Sequence, residues 1–187
     1  MSKVSMGRTI AAALLAASVM ASAGQASAQA GAADARLKAL YEREWAWRQG
    51  ELGRVRDDNG RWGDGADHLP RVDAKSQTAR LAYWTAVLAE LDKIPVDQLS
   101  PEEKINAEIF RASVKSLADN ARFKTYEAPF NADTFFWAGL APRGALKTAK
   151  DYRNYIARMR DIPRYFDEQT ANMRAGLKRG FSVPRVV

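Results

Sequence analysis

Cysteine is missing from all 187 residues, and histidine occurs once, as His68. The first absence excludes disulfides, thiolate metal ligands and cysteine nucleophiles. It also excludes a lipoprotein, because lipid attachment requires a cysteine. Stability must therefore come from core packing, even in an oxidising compartment. A single histidine leaves a zinc site short of the several nitrogen or sulfur ligands it normally takes. Neither a His-Glu-x-x-His element nor a Gly-x-Ser-x-Gly elbow occurs. Any Ser-His-Asp arrangement would have to use His68, which sits in a turn-rich stretch where an exposed loop histidine is expected. Carboxylates stand side by side at Asp57/Asp58 and Glu102/Glu103. The first pair falls in a turn and the second opens a helix, so neither calls for paired-acid chemistry.

Long apolar runs are scarce too. The one at Ile10–Ala21 follows Lys3 and Arg8 and precedes the small-residue patterns Ala26-Ser27-Ala28 and Ala28-Gln29-Ala30. Basic start, apolar middle and small-residue exit are the order of a secretory signal. The run is too short and alanine-rich to span ~30 Å of hydrocarbon, so no stable membrane span is expected. Residues 1–30 are thus expected to be a signal peptide, the mature chain to begin near Gly31, and its location to be periplasmic or secreted.

The chain carries 29 basic and 22 acidic residues, net +7. Lys3 and Arg8 belong to the leader, which leaves 27 − 22 = +5 for the rest. The charges are interleaved, as on solvated helix faces, except near the end at Arg174, Lys178, Arg179 and Arg185. An exported chain without a concentrated basic patch is not expected to bind nucleic acid.

No segment alternates at period two for long enough to form a strand, so the predicted class is all-α. The expectation is an irregular array of about four to five helices. Leu37, Leu40, Tyr41, Trp45 and Arg48 predict one face of a helix over Asp34–Leu52, with Asp34 as its N-cap. Trp45 and Trp47 point to different faces, so at least one must be covered from outside. Gly53–Asp73 reads as a loop. A calcium-loop register on Gly60 would put Val55 and Ala66 at ligand positions, which neither can fill. A second helix over Lys75–Lys93 buries Leu81, Trp84, Leu88 and Leu91, with Ala82, Ala86 and Ala89 allowing close packing, and Pro95 stops it. Ser100-Pro101-Glu102-Glu103 predicts a capping box for a third helix, with Ser100 bonding the Glu103 amide and Glu103 reaching back. Ile105, Ile109, Ala112 and Ser116 form one stripe of this helix, and Phe110, Val114, Leu117 and Ala121 another. Two apolar sides suit an inner position.

Between Lys124 and Lys147 the periodicity lapses around Phe130, Phe135, Phe136, Trp137 and Leu140. These aromatics can line a ligand groove or plug the core; burial of large rings favours the plug. Phe135, Phe136 and Trp137 are the candidate cleft-lining residues. Over Thr148–Arg179, Tyr152, Tyr155, Ile156 and Met159 form one stripe, and Phe166, Thr170, Met173 and Leu177 the next. Pro163 predicts two near-collinear helices, the second capped by Ile162, with Gly180 as the left-handed terminator.

The order of landmarks resembles the amino-terminal part of the domain of unknown function 885 family of exported bacterial proteins. The resemblance rests on Tyr41-Glu42-Arg43-Glu44-Trp45-Ala46-Trp47-Arg48, Leu99-Ser100-Pro101-Glu102-Glu103-Lys104-Ile105-Asn106 and Ala121-Arg122-Phe123. It continues through Tyr152-Arg153-Asn154-Tyr155-Ile156-Ala157-Arg158-Met159 and Met173-Arg174-Ala175-Gly176-Leu177 to Pro184-Arg185-Val186-Val187. It implies a helical, zincin-like metallopeptidase whose metal element, His-Glu-x-x-x-His, lies downstream of the matched region. No residue here matches that element, so no catalytic, cofactor-binding or metal residue is assigned; zinc belongs to a full-length relative.

Phe181, Val183, Val186 and Val187 make an apolar tail that suits continuation better than a free end. Residues 31–187 are therefore expected to be the helical amino-terminal region of a larger, truncated domain. Its partner would be the carboxy-terminal part of the same domain, with peptide as substrate of the whole and this chain alone inactive. The alternative is a free-standing periplasmic helical binding or adaptor module. A basic protein that binds envelope polyanions is a third.

Overall fold

The computed structural model describes residues 31–56, 60, 62–63, 65–130, 135–142 and 144–185. The expected leader at 1–30, the Asp57/Asp58 pair and the last two valines lie outside them. The described chain is all-α, with four helices: α1 over 31–51, α2 Ala74–Leu91, α3 Pro101–Arg122 and α4 Ala149–Lys178. Single 3-10 turns occupy Val96–Gln98 and Thr125–Glu127. In the loop after α1, β1 (Val55–Arg56) pairs antiparallel with β2 (Trp62–Gly63), Val55 opposite Gly63. This ribbon is too short for alternation to announce it.

The apolar core is built by α1, α2, α3 and the connection between the last two. Leu37 and Leu40 of α1, Trp84, Val87 and Leu91 of α2, and Phe110, Val114 and Ala118 of α3 are buried together. Ile94 and Leu99 close it from the turn that Pro95 enforces. Full burial of side chains of this size stabilises by roughly 1.5–3 kcal/mol each. α4 contributes nothing to this cluster.

Several expectations are corrected. Residues 31–33 are already helical, so Asp34 is not the cap of α1. Its carboxylate instead accepts from the Ser100 backbone N–H at 3.0 Å. That contact occupies the donor Glu103 was expected to reach. Ser100 does cap α3, its hydroxyl accepting from the Glu103 N–H at 3.4 Å, but the reciprocal half of the box is absent. The box forms on α4, where Thr148 and Asp151 satisfy each other's amides.

In α1 the buried side chain one turn after Leu40 is Glu44, not Trp45, which is 47% exposed beneath the Arg48 guanidinium. Glu44 is fully buried; it accepts from Trp84 Nε1 at 3.2 Å and lies 3.1 Å from Arg48 Nη2. Trp47 is the tryptophan covered from outside, stacked on Tyr83 at 3.6 Å. On α2, Ala82, Ala86 and Ala89 are exposed, while Arg80 is buried and donates to Glu51 and to the Arg71 carbonyl. On α3 only the Phe110 stripe is inside; Ile105 and Ile109 are 62% and 61% exposed, so the helix is not enclosed by the described residues.

α4 runs unbroken through Pro163, correcting the expected pair of helices. It ends as foreseen: Gly180 adopts φ +77°, with its N–H on the Leu177 carbonyl and the Phe181 N–H on the Gly176 carbonyl. These two bonds form a Schellman stop. Phe181 is thus part of a closed helix cap, with the Arg179 guanidinium 4.6 Å above its ring, and not an uncapped tail. Arg179 also donates to the buried Glu127 carboxylate, so it is not a free cation of a basic patch.

Candidate binding surface

The face of α4 turned toward segment 65–72 is polar and mostly half-buried, and it grips main chain. Asn154 donates to the Gly65 carbonyl at 2.7 Å, and the Asp161 carboxylate accepts from the Leu69 N–H at 2.8 Å. Arg164 donates to the Leu69 carbonyl at 2.9 Å. Glu168 accepts from the Val72 N–H at 2.8 Å, and Asn172 donates to the Val72 carbonyl at 2.7 Å. Steps of seven, three, four and four residues keep these groups on one side of the helix. The segment 65–72 lies along them as a strand would lie along a sheet edge, its backbone paired by side chains. Arg164 also pairs with Asp161 and Glu168, at 2.5 and 2.9 Å, and Arg71 reaches Glu168 at 3.0 Å. The Arg164 hydrogen bond holds the Asp161 carboxyl below its ordinary value, opposed by burial and aided by the Leu69 N–H.

With this clasp in place, three of the four residues of the expected apolar stripe in the amino-terminal half of α4 face outward, and Tyr155 is half-buried. Tyr152, Ile156 and Met159 are 55%, 40% and 43% exposed. Beside them, Leu69, Leu140, Tyr155, Arg158, Met159 and Ile162 are among the residues lining a cavity of about 220 Å³.

The three candidate aromatics divide. Phe136 is seated edge-on against Tyr165 and Phe166 of α4, at 6.0 and 5.1 Å, and its carbonyl accepts from the Tyr165 hydroxyl. Phe135 and Trp137 stack on each other at 5.0 Å and are each 43% exposed. Phe136 is half-buried against α4, and the other two remain on the surface. None of the three lines the cavity, which begins at Leu140, a few residues further on.

His68 is exposed, its Nδ1 2.8 Å from the Asp67 carboxylate, which this hydrogen bond holds below its ordinary pKa. No group of three or more His, Cys, Asp or Glu side chains among the described residues is placed to hold a metal. Glu44 and Glu127 are buried, each beside a cationic partner, Arg48 and Arg179. No helix of the described residues is long and apolar enough to cross a membrane.

The described residues form a helical array whose last helix carries an outward apolar face. The chain belongs to the DUF885 family, described as bacterial protein of unknown function, whose model matches residues 44–187. No curated protein and no solved structure matches it.

Proposed function

We propose that this chain is the amino-terminal scaffold of an exported, metallopeptidase-like DUF885 domain, forming a wall of its substrate cleft while the metal site comes from elsewhere in the domain. The observation that carries this reading is the pair of outward apolar stripes, Ile105/Ile109 on α3 and Tyr152/Ile156/Met159 on α4. Scattered apolar side chains are ordinary on a surface. Regular stripes along two helices that are otherwise well capped suit helices built to be covered. Half-exposed Phe135 and Trp137 offer flat apolar contacts to a peptide at the edge of such a cleft. The leader-like order of residues 1–30 supports export.

The test supplies the purified chain, with zinc, alone and together with the carboxy-terminal region of a longer family member carrying His-Glu-x-x-x-His. Expected are no peptide hydrolysis by the chain alone, binding of an apolar dye, and a complex that hydrolyses peptides while the dye signal falls. Hydrolysis by the chain alone would overturn the reading. So would a sharp, dye-free melt of the chain with no affinity for that region, which is the behaviour of a self-sufficient binding module.

A further inference from the structure

We propose that the outward face of the amino-terminal half of α4 receives an acidic amphipathic helix, one of whose apolar side chains seats in the cavity beside Met159. The inference rests on the scaffold reading only in taking that helix from the rest of a DUF885 domain. Tyr152, Ile156 and Met159 stand at i, i+4 and i+7, one ridge about two turns long. Such a ridge is the surface against which a second helix lays its own i, i+3/i+4, i+7 positions.

The exposed charge flanking the ridge is mainly basic. Arg153 and Arg160 are exposed along one flank of it, and Lys147 is exposed just before the helix; the exposed Asp167 lies about two turns beyond Met159. Among the described residues no ion pair neutralises Lys147, Arg153 or Arg160. The carboxylates nearby are already engaged: Asp151 in the capping box, Asp161 by Arg164 and the Leu69 N–H, Asp67 by His68. A partner with Glu or Asp flanking its apolar positions is therefore matched, and one with Lys or Arg there is repelled. The cavity of about 220 Å³ gives the face a concave point that an inserted aliphatic or aromatic side chain fills. A planar anionic headgroup surface offers no such side chain, which favours the helix over a membrane.

Binding to the full chain is measured by fluorescence anisotropy with two labelled amphipathic peptides of about 18 residues, five turns, sharing a Leu/Phe ridge and flanked by Glu in one and Lys in the other. Phosphatidylglycerol vesicles form a third arm. The Glu-flanked peptide is expected to bind, with affinity falling at least about tenfold as salt screens the rim. The Lys-flanked peptide is expected not to bind. Arg153→Glu with Arg160→Glu should invert that preference, and Ile156→Asp should abolish binding of the Glu-flanked peptide, each with unchanged helical circular dichroism. Equal binding of both peptides, binding of neither, or capture by the vesicles alone overturns the proposal. If the carboxy-terminal region binds the double variant as well as the native chain, this docking face is wrong while the scaffold reading stands. If the Glu-flanked peptide binds but the region does not, the scaffold reading fails and the docking face stands.

Discussion

Gly176 is pressed against Glu127: a Cβ built on the glycine would lie 2.8 Å from the Glu127 carbonyl oxygen and 2.8 Å from that of Phe181. Both are main-chain atoms, held by the 3-10 turn at Thr125–Glu127 and by the Schellman stop of α4. The contact lets the Glu127 carboxylate meet Arg179.

A helical glycine replaced by alanine normally gains up to about 1 kcal/mol. At Gly176 the sign should reverse, with a loss of about 1–3 kcal/mol from overpacking against backbone. Gly50, in α1 with nothing within 4 Å, is the control. Gly50→Ala should raise the midpoint of chemical denaturation and Gly176→Ala should lower it. Two shifts of the same sign would contradict the close approach.

The clasp on segment 65–72 makes stability depend on acid. Because the folded chain holds Asp161 below its ordinary value near 3.8, the unfolded chain takes up that proton first as pH falls. The contribution is therefore fully present above pH 3.8 and is lost as pH drops through the depressed folded value. Arg164, the Leu69 N–H and His68 act on this carboxyl, and Arg164 stays protonated throughout. Asp161→Asn should lower Tm near neutral pH and converge with the native chain below the ordinary carboxylate range. Hydrogen exchange at the Leu69 amide should quicken in the variant. A Tm difference independent of pH would rule out this account.

At the start of α3, the bond between Asp34 and the Ser100 N–H ties α1 to the cap. Ser100→Ala and Asp34→Ala should each cost about 1 kcal/mol. Glu103→Ala should cost less, because its buried Oε2 has no hydrogen-bond partner. Denaturant titration of the three variants gives the order. A Glu103 variant costlier than Asp34→Ala would restore the reciprocal box.

What could be read from the residues was what apolar spacing carries. Leu37, Leu40, Trp84, Leu91, Phe110 and Val114 marked the faces that α1–α3 turn into the core, because burying them is what holds these helices together. Asp161, Arg164, Glu168 and Asn172 repeat at helical spacing too, but polar side chains at that spacing also describe a solvated face. Only the position of segment 65–72 shows that they meet backbone. The Tyr152 ridge was legible as a ridge, not as an outward one, since periodicity identifies a face without saying what covers it. Phe135, Phe136 and Trp137 carry no periodicity at all, so spacing could not say that Phe136 is the ring that packs on Tyr165.

Pro163 misled for a related reason. Proline removes a donor and crowds the carbonyl four residues back, here that of Met159. In a buried helix that orphaned carbonyl would demand a break. Pro163 and Met159 are both exposed, so water can take the place of the missing N–H and α4 continues. Pro163→Ala should then return a hydrogen bond to Met159. The gain in helix propensity, about 3 kcal/mol at most, is offset by about 0.4–1 kcal/mol for the freer unfolded chain. The variant is expected to melt higher with unchanged helical content. An unchanged or lower Tm would mean that the proline costs this helix nothing, as at the first turn of a second helix beginning there.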